Sequence, residues 1–194
     1  MKVAIVKYNA GNVESVKNAL NRLGFEPLLT DDAETLKSAD KIIFPGVGEA
    51  STAMNYLREK GLDEVIKSLA QPVLGICLGM QLLFEFSDEN DTRCLGILPY
   101  RVRRFEAREL KIPQMGWNNI FGLKSVLFDG VAENSYVYFV HSFYVEKGAE
   151  TIAACDYGVE FSAAVNHENF YAVQFHTEKS GAVGARILEN FLKI

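Results

Sequence analysis

The chain has 194 residues, 48% of them hydrophobic and 23% charged, with a net charge of −5. Such a chain can bury a core without disulfides or metals, and its acidic balance excludes the basic footprint of a nucleic-acid binder. The three cysteines, Cys77, Cys94 and Cys155, are too widely spaced for a disulfide framework or a CxxC zinc site, and no run approaches the ~18 apolar residues of a membrane span.

Val3-Ala-Ile-Val6 is a continuous apolar run, as a strand buried on both faces requires. The segment from Asn9 to Asn12 breaks it, and Val13, Val16, Ala19, Leu20 and Leu23 then recur at helical spacing up to Gly24. Phe25 to Thr30 reads as a second strand, with Asp31 or Asp32 capping a short helix after it. Lys41 to Phe44 is a third strand, closed by Pro45-Gly46-Val47-Gly48. Helices follow through Met54, Leu57 and Arg58, and from Leu62 to Leu69. Pro72 to Ile76 reads as a fourth strand and Leu78 to Phe86 as a helix. Alternating strands and helices predict right-handed βαβ units and a parallel sheet covered on both faces.

After about residue 94 the texture changes. Ile97–Phe105, Trp117–Phe121, Val126–Phe128, Tyr136–Val145, Ile152–Ala154 and Phe161–Val165 read as strands separated by short turns, so mostly antiparallel pairing is expected. The basic cluster Arg101-Val-Arg103-Arg104 reads as a solvated strand face. Phe170 to His176 is the last predicted strand, and Ala182 to Leu192 a helix with Val183, Ile187, Leu188 and Phe191 on one face.

Ligand sites in open α/β sheets gather at the carboxyl ends of the strands. Three features are predicted there. Cys77 stands between Gly75 and Gly79 where the fourth strand meets its helix. A G-x-nucleophile-x-G turn is tight, exposes its central side chain, and sets the sulfur at a helix N-terminus that favours thiolate; a buried core thiol is the alternative reading. His176 and Glu178 lie two apart. On an extended segment they share one face, where a carboxylate can fix an imidazole's tautomer; a polar strand end is the alternative. The Pro45–Gly48 turn presents backbone N–H groups that suit a phosphate or an oxyanion, or it is a plain βα turn. It is neither a GxGxxG nor a Walker sequence.

The ordered set PGVG, G-x-C-x-G-x-Q (Gly75 to Gln81) and H-x-E resembles the class I (triad-type) glutamine amidotransferases. Tyr8-Asn-Ala-Gly-Asn12 with Ser15, Gln114-Met-Gly-Trp-Asn118, Tyr138-Phe-Val-His-Ser142 and Phe175-His-Thr-Glu-Lys-Ser180 narrow the resemblance to the glutaminase subunits of imidazole glycerol phosphate synthase. The resemblance spans the whole chain. It implies a flavodoxin-like α/β fold in a single amidotransferase domain over residues 1–194, with a mostly parallel central sheet flanked by helices and added antiparallel strands in the C-terminal half.

It also implies a Cys77–His176–Glu178 triad that hydrolyses L-glutamine to glutamate and ammonia. Backbone N–H groups of Leu78 and of the Gly46–Val47 turn would hold the oxyanion. Gly48, Gln81 and the backbone around Ser142 and Phe143 would hold glutamine. No metal and no cofactor is implied. The implied partner is a cyclase subunit, a (β/α)8 barrel, joined as a heterodimer through a surface with Asn12, Trp117, Tyr138 and Lys179; His141 is a further candidate there, or a packing histidine. The histidine-pathway setting is cytoplasmic, in keeping with an N-terminus, MKVAIVKYNAGN, that lacks a long apolar leader segment.

One departure is visible. The family commonly has proline between the catalytic His and Glu, and this chain has Thr177. Threonine releases the φ restraint that proline would impose and bears on the orientation of Glu178. Two rival assignments share much of the pattern. One is an amidotransferase subunit of anthranilate, aminodeoxychorismate or pyridoxal phosphate synthesis. The other is a non-catalytic flavodoxin-like interaction module.

Overall fold

Two apolar layers sandwich a seven-stranded sheet in the computed structural model, which describes residues 1–8, 12–106 and 110–194. The first half alternates as predicted: β1 (Val3–Val6), α1 (Val13–Arg22), β2 (Leu28–Thr30), α2 (Ala33–Lys37), β3 (Lys41–Gly46), α3 (Ala50–Glu59), α4 (Leu62–Lys67), β4 (Val73–Cys77) and α5 (Leu78–Gln81). The remaining elements are β5 (Phe84–Ser87), β6 (Thr92–Arg93), β7 (Leu98–Arg104), β8 (Gln114–Ile120), β9 (Ser135–His141), β10 (Phe143–Val145), β11 (Thr151–Asp156), β12 (Glu160–His167), β13 (Phe170–Val173) and α6 (Gly181–Lys193). Of the predicted break from Asn9 to Asn12, residues 9–11 lie outside the described residues, and Asn12 is the N-cap of α1.

The large sheet has the order β11-β12-β13-β4-β3-β1-β2. β13, β4, β3, β1 and β2 are parallel neighbours, and β12 and β11 add an antiparallel edge. Successive side chains of a strand face opposite sides, so Ala4, Val6, Ile42 and Phe44 join the layer under α2 to α5. Val3, Ile5, Ile43, Leu74 and Ile76 join the layer under α1, α6 and the β8–β9 ribbon. Burial on both faces is why these strands read as unbroken apolar runs.

Several predicted elements are corrected. The second strand begins at Leu28 rather than Phe25, after Pro27, which has no N–H to donate. The third strand runs on through Pro45 and Gly46. The predicted helix from Leu78 to Phe86 is one turn long, ending at Gln81. Beyond it the carbonyls of Leu82, Leu83 and Phe84 accept from the amides of Leu95, Ile97 and Gly96, and Phe84–Ser87 becomes a strand. Leu82-Leu83-Phe84 is a short apolar run whose period cannot tell helix from strand, and tertiary pairing decides.

Val126–Phe128, predicted as a strand, is a 3-10 turn whose Leu127 N–H donates to Ser125 Oγ. The predicted strand Tyr136–Val145 is two strands in different sheets, β9 with β8 and β10 with β7, broken at Ser142. β13 stops at Val173, short of the predicted His176. The basic cluster lies on β7 as expected: Val102 is buried, and Arg101 pairs with Asp88 and Asp91, and Arg103 with Glu146.

Candidate active site

Cys77 ends β4 and turns the chain into α5 with φ 53° and ψ −108°, a strained conformation for a residue with a side chain. The flanking glycines let that turn close. A Cβ on Gly79 would lie 1.8 Å from the Phe44 carbonyl oxygen, and one on Gly75 would lie 3.0 Å from the Gly79 carbonyl. With both positions bare, α5 rests backbone to backbone on β3 and β4. The expectation that the turn exposes Cys77 is corrected: the residue is only 6% exposed and lines a cavity of about 300 Å³. The helix that was to favour thiolate is a single turn, so its dipole contributes less than expected.

The predicted residues Val47, Gly48, Leu78, Gln81, Ser142, Phe143, His176 and Lys179 line the same cavity. Gly46 does not; it pairs with Cys77 in the sheet register and lies beneath the wall. A Cβ there would meet the Tyr8 hydroxyl at 2.1 Å and Leu78 Cβ at 3.0 Å. The Tyr8 hydroxyl donates to the Pro45 carbonyl at 2.6 Å. Burial, and then the nearby Cys77, raise its pKa far above the ordinary value, so it stays a donor. Gly48 has φ +118°, a conformation that favours glycine.

His176 and Glu178 are not on an extended segment. His176 precedes a 3-10 turn over Thr177–Lys179 that brings His176 Nδ1 to 2.8 Å from Glu178 Oε1. The two side chains are 3% and 0% exposed. Glu178 Oε1 also accepts from Asn12 Nδ2 at 2.5 Å, while Oε2 is buried with no partner among the described residues. Burial draws the His176 pKa down, but hydrogen bonds to Cys77 and Glu178 and their negative charge outweigh it and raise it to about 10. The imidazole is therefore disposed to hold two protons between a sulfur and a carboxylate. Thr177 is buried, and its carbonyl is closely packed by α6, where a Cβ on Gly184 would lie 1.9 Å from it.

Two supports, Ser180 and Gln174, were not foreseen, and His141 takes the packing role that was one of its two readings. Ser180 Oγ accepts from the Tyr138 N–H at 2.9 Å and donates to the His176 carbonyl at 2.6 Å, and the Tyr138 carbonyl accepts from the His176 N–H at 2.9 Å. Together they bolt β9 to the His176 turn. Gln174, wholly buried, stands between Gln81 and Cys77. His141 Nδ1 donates to the Phe143 carbonyl at 2.7 Å, and its ring packs at 5.3–5.5 Å from Phe105, Phe139 and Phe161. Burial lowers its pKa to about 4, so this histidine is neutral and serves packing and loop geometry. A polar residue inside the apolar stretch Ala172-Val-Gln-Phe175 was the available signal for Gln174.

Asn12 and Lys179 flank the His176–Glu178 pair; Trp117 and Tyr138 lie beside it on the β8–β9 ribbon. Trp117 is 55% exposed and meets the Tyr138 ring edge-on at 5.9 Å. Met115 and Tyr136, also exposed, widen the apolar surface of the ribbon. Among the described residues, no group of His, Cys, Asp and Glu is arranged to hold a metal, and no helix is long and apolar enough to cross a membrane.

Comparison with known proteins adds a family, two relatives and two solved structures. The family model for class-I glutamine amidotransferases matches residues 4–194. The imidazole glycerol phosphate synthase subunit HisH of Bacteroides fragilis (strain YCH46) is 58% identical over the full length of both chains. The subunit of the same name from Haemophilus influenzae (strain Rd) is 47% identical, covering 100% of this chain and 98% of that one. Among solved structures, a glutamine amidotransferase superposes with a TM-score of 0.75 at 22% identity, over 98% of this chain and 97% of that one. PurLQS from Thermotoga maritima superposes with a TM-score of 0.75 at 18% identity, over 99% and 97%.

Proposed function

This chain belongs to the class-I glutamine amidotransferase family, and on that premise we propose that it is the glutaminase subunit of imidazole glycerol phosphate synthase, with Cys77, His176 and Glu178 as its triad. The observation that carries the mechanism is the 2.8 Å contact of His176 with Glu178 beside the cavity that Cys77 lines. Glutamine enters with its side-chain amide at the sulfur. Cys77 Sγ attacks the amide carbon, its proton residing on His176. The oxyanion takes the N–H groups of Leu78 and Val47, both of which line the cavity.

The carbon–nitrogen bond then breaks. Ammonia departs with the proton from His176, leaving a thioester on Cys77. Neutral His176 next takes a proton from water, whose oxygen attacks the thioester carbon. Glutamate leaves, and sulfur and imidazole return to their starting state. Glu178 keeps Nδ1 protonated throughout, so Nε2 does the proton transfer. Gly48, Gln81 and the backbone of Ser142 and Phe143 hold the amino-acid end of the substrate. Both donors of Gln81 are engaged within the protein, so it offers glutamine its carbonyl oxygen.

The ammonia goes to a cyclase subunit, a (β/α)8 barrel docked as a heterodimer over the cavity mouth. It is used there to make imidazole glycerol phosphate and aminoimidazole carboxamide ribotide in histidine biosynthesis, in the cytoplasm. Trp117, Tyr138 and Lys179 supply that surface, and the exposed apolar side chains of the β8–β9 ribbon support the reading. The Asn12 amide is engaged by Glu178, so its link to the surface runs through the catalytic acid.

The deciding experiment measures glutamine hydrolysis by wild type and Cys77→Ala, with and without the cyclase and its ligand. Wild type should be stimulated by the partner and Cys77→Ala inactive in both states. Absence of stimulation would assign the chain to another amidotransferase. Failure of a glutamine-analogue electrophile to label Cys77, even with partner bound, would remove catalysis altogether.

A further inference from the structure

Gln174 makes a side-chain contact with the nucleophile that the mechanism above does not use. Its Nε2 lies 3.7 Å from Cys77 Sγ, and its Oε1 lies 3.0 Å from Gln81 Nε2. Gln81 Nε2 in turn lies 3.1 Å from the Phe143 carbonyl oxygen. The polarity of this chain of amides is forced from one end. A backbone carbonyl only accepts, so Gln81 must turn its NH2 group toward Phe143. The second hydrogen of that NH2 points at Gln174, which must answer with its oxygen. The NH2 of Gln174 is then left facing the sulfur.

We propose that Gln174 is a catalytic residue, a fixed N–H donor that holds the sulfur of Cys77 as an anion, with its direction set by Gln81 and the Phe143 carbonyl. The proposal rests on Cys77 being the nucleophile. A thiol has a competing neighbour, since the Val140 carbonyl oxygen, also 3.7 Å from Sγ, can accept its proton. That oxygen offers nothing to an anion, whereas the Gln174 amide does. Gln174 is 0% exposed, so no water competes for its hydrogen and no reorientation is needed when charge develops on sulfur. The relay also joins the nucleophile to the Phe143 backbone, the segment assigned to the amino-acid end of glutamine. Among the described residues, His176, which precedes the 3-10 turn, and Tyr8, just beyond β1, are coupled to the sulfur, and His141, Glu89 and Lys179 line the same cavity. Gln174 has no proton to titrate, so it shifts the pH response of Cys77 without adding a limb to it.

The test is the rate of iodoacetamide alkylation of Cys77 against pH, read by mass spectrometry, for wild type, Gln174→Met and Gln81→Met. Near-ultraviolet circular dichroism establishes that each is folded. Gln174→Met keeps the volume and loses the donor. Its alkylation rate at pH 7 should fall about tenfold, its midpoint should move up by about one pH unit, and kcat for glutamine should fall about tenfold with KM within about twofold. Gln81→Met leaves Gln174 free to turn and should move the midpoint the same way by a smaller amount. It carries the test if Gln174→Met does not fold. Wild-type alkylation curves in the folded variants would overturn the proposal. A shifted curve in a protein whose wild type hydrolyses no glutamine would sink the glutaminase reading and leave the Gln174 contact standing.

Discussion

Asn12 Nδ2 lies 2.5 Å from Glu178 Oε1, the same oxygen that receives His176 Nδ1. Asn12 sits at the start of α1 with φ 70° and makes no capping hydrogen bond; its side chain crosses to the acid instead. Two donors on one oxygen hold the carboxylate against rotation about its last bond, and Oε2 is buried with no hydrogen-bond partner among the described residues. Asn12→Ala removes one of the two. A hydrogen bond to a charged group is worth about 1.5–3 kcal/mol, so kcat should fall about tenfold, with KM within about twofold. Asn12→Asp should be worse, because it sets a second carboxylate against the first. Steady-state glutaminase kinetics measure both.

The glycines beside Cys77 and in α6 make a stability prediction. A Cβ at position 79 would sit 1.8 Å from a backbone oxygen of β3, which has no free end to move aside. Gly79→Ala should lower unfolding free energy by about 3 kcal/mol or more. Gly184→Ala, at 1.9 Å from the Thr177 carbonyl, should cost a similar amount and lower activity too, because Thr177 begins the turn that carries Glu178. Urea titration with parallel activity measurements separates the two outcomes.

The three cysteines should differ in reactivity although all are buried. Burial pushes the thiols of Cys94 and Cys155 up to about 12, and neither lines the cavity that holds Cys77. Iodoacetamide at pH 7.5 should therefore modify Cys77 at least about a hundredfold faster than the other two, since the thiolate is the nucleophile. Peptide mapping over time tests this.

Stability should fall on both sides of neutrality for separable reasons. The folded pKa of His176, about 10, exceeds the unfolded value of about 6.5. Its contribution is complete below pH 6.5 and is lost as pH rises toward 10. The folded pKa of His141, about 4, is depressed. Its contribution is complete above pH 6.5 and is lost as pH falls through 4. Cys77→Ala, which takes away a partner that raises His176, should flatten the alkaline limb. His141→Phe, which keeps the packing and removes the titration, should flatten the acid limb. Melting temperatures from pH 4 to 10 measure both.

Local pattern carried the first half of the fold because its strands are buried on both faces and its helices on one. Val3–Val6 and Val13–Leu23 show those two periods without interference. Legibility failed where partners are distant. Phe84–Ser87 becomes a strand because β6 and β7 pair with it, and nothing within the run from Leu78 to Phe86 says so. The candidate site residues were picked out by type and spacing, Cys77 from its glycines and His176 with Glu178 from their separation, and the fold brings His176 and Glu178 into contact and sets Cys77 and His176 on one cavity. Their geometry was not legible, since a 3-10 turn rather than a strand brings His176 and Glu178 together. Gln174 and Ser180 act through contacts 97 and 42 residues away along the chain, which no local window contains.

The order of the central sheet, with β13 beside β4, has a further consequence for how the protein comes into being. Glu178, His176 and Gln174 all enter just after the final strand, far in sequence from Cys77. Such distant pairing closes late in folding. A chain that has buried β1 to β4 but not yet seated β13 holds a thiol with no imidazole beside it. On the roles proposed for Cys77 and His176, the onset of glutaminase activity therefore reports that the last parallel strand has docked.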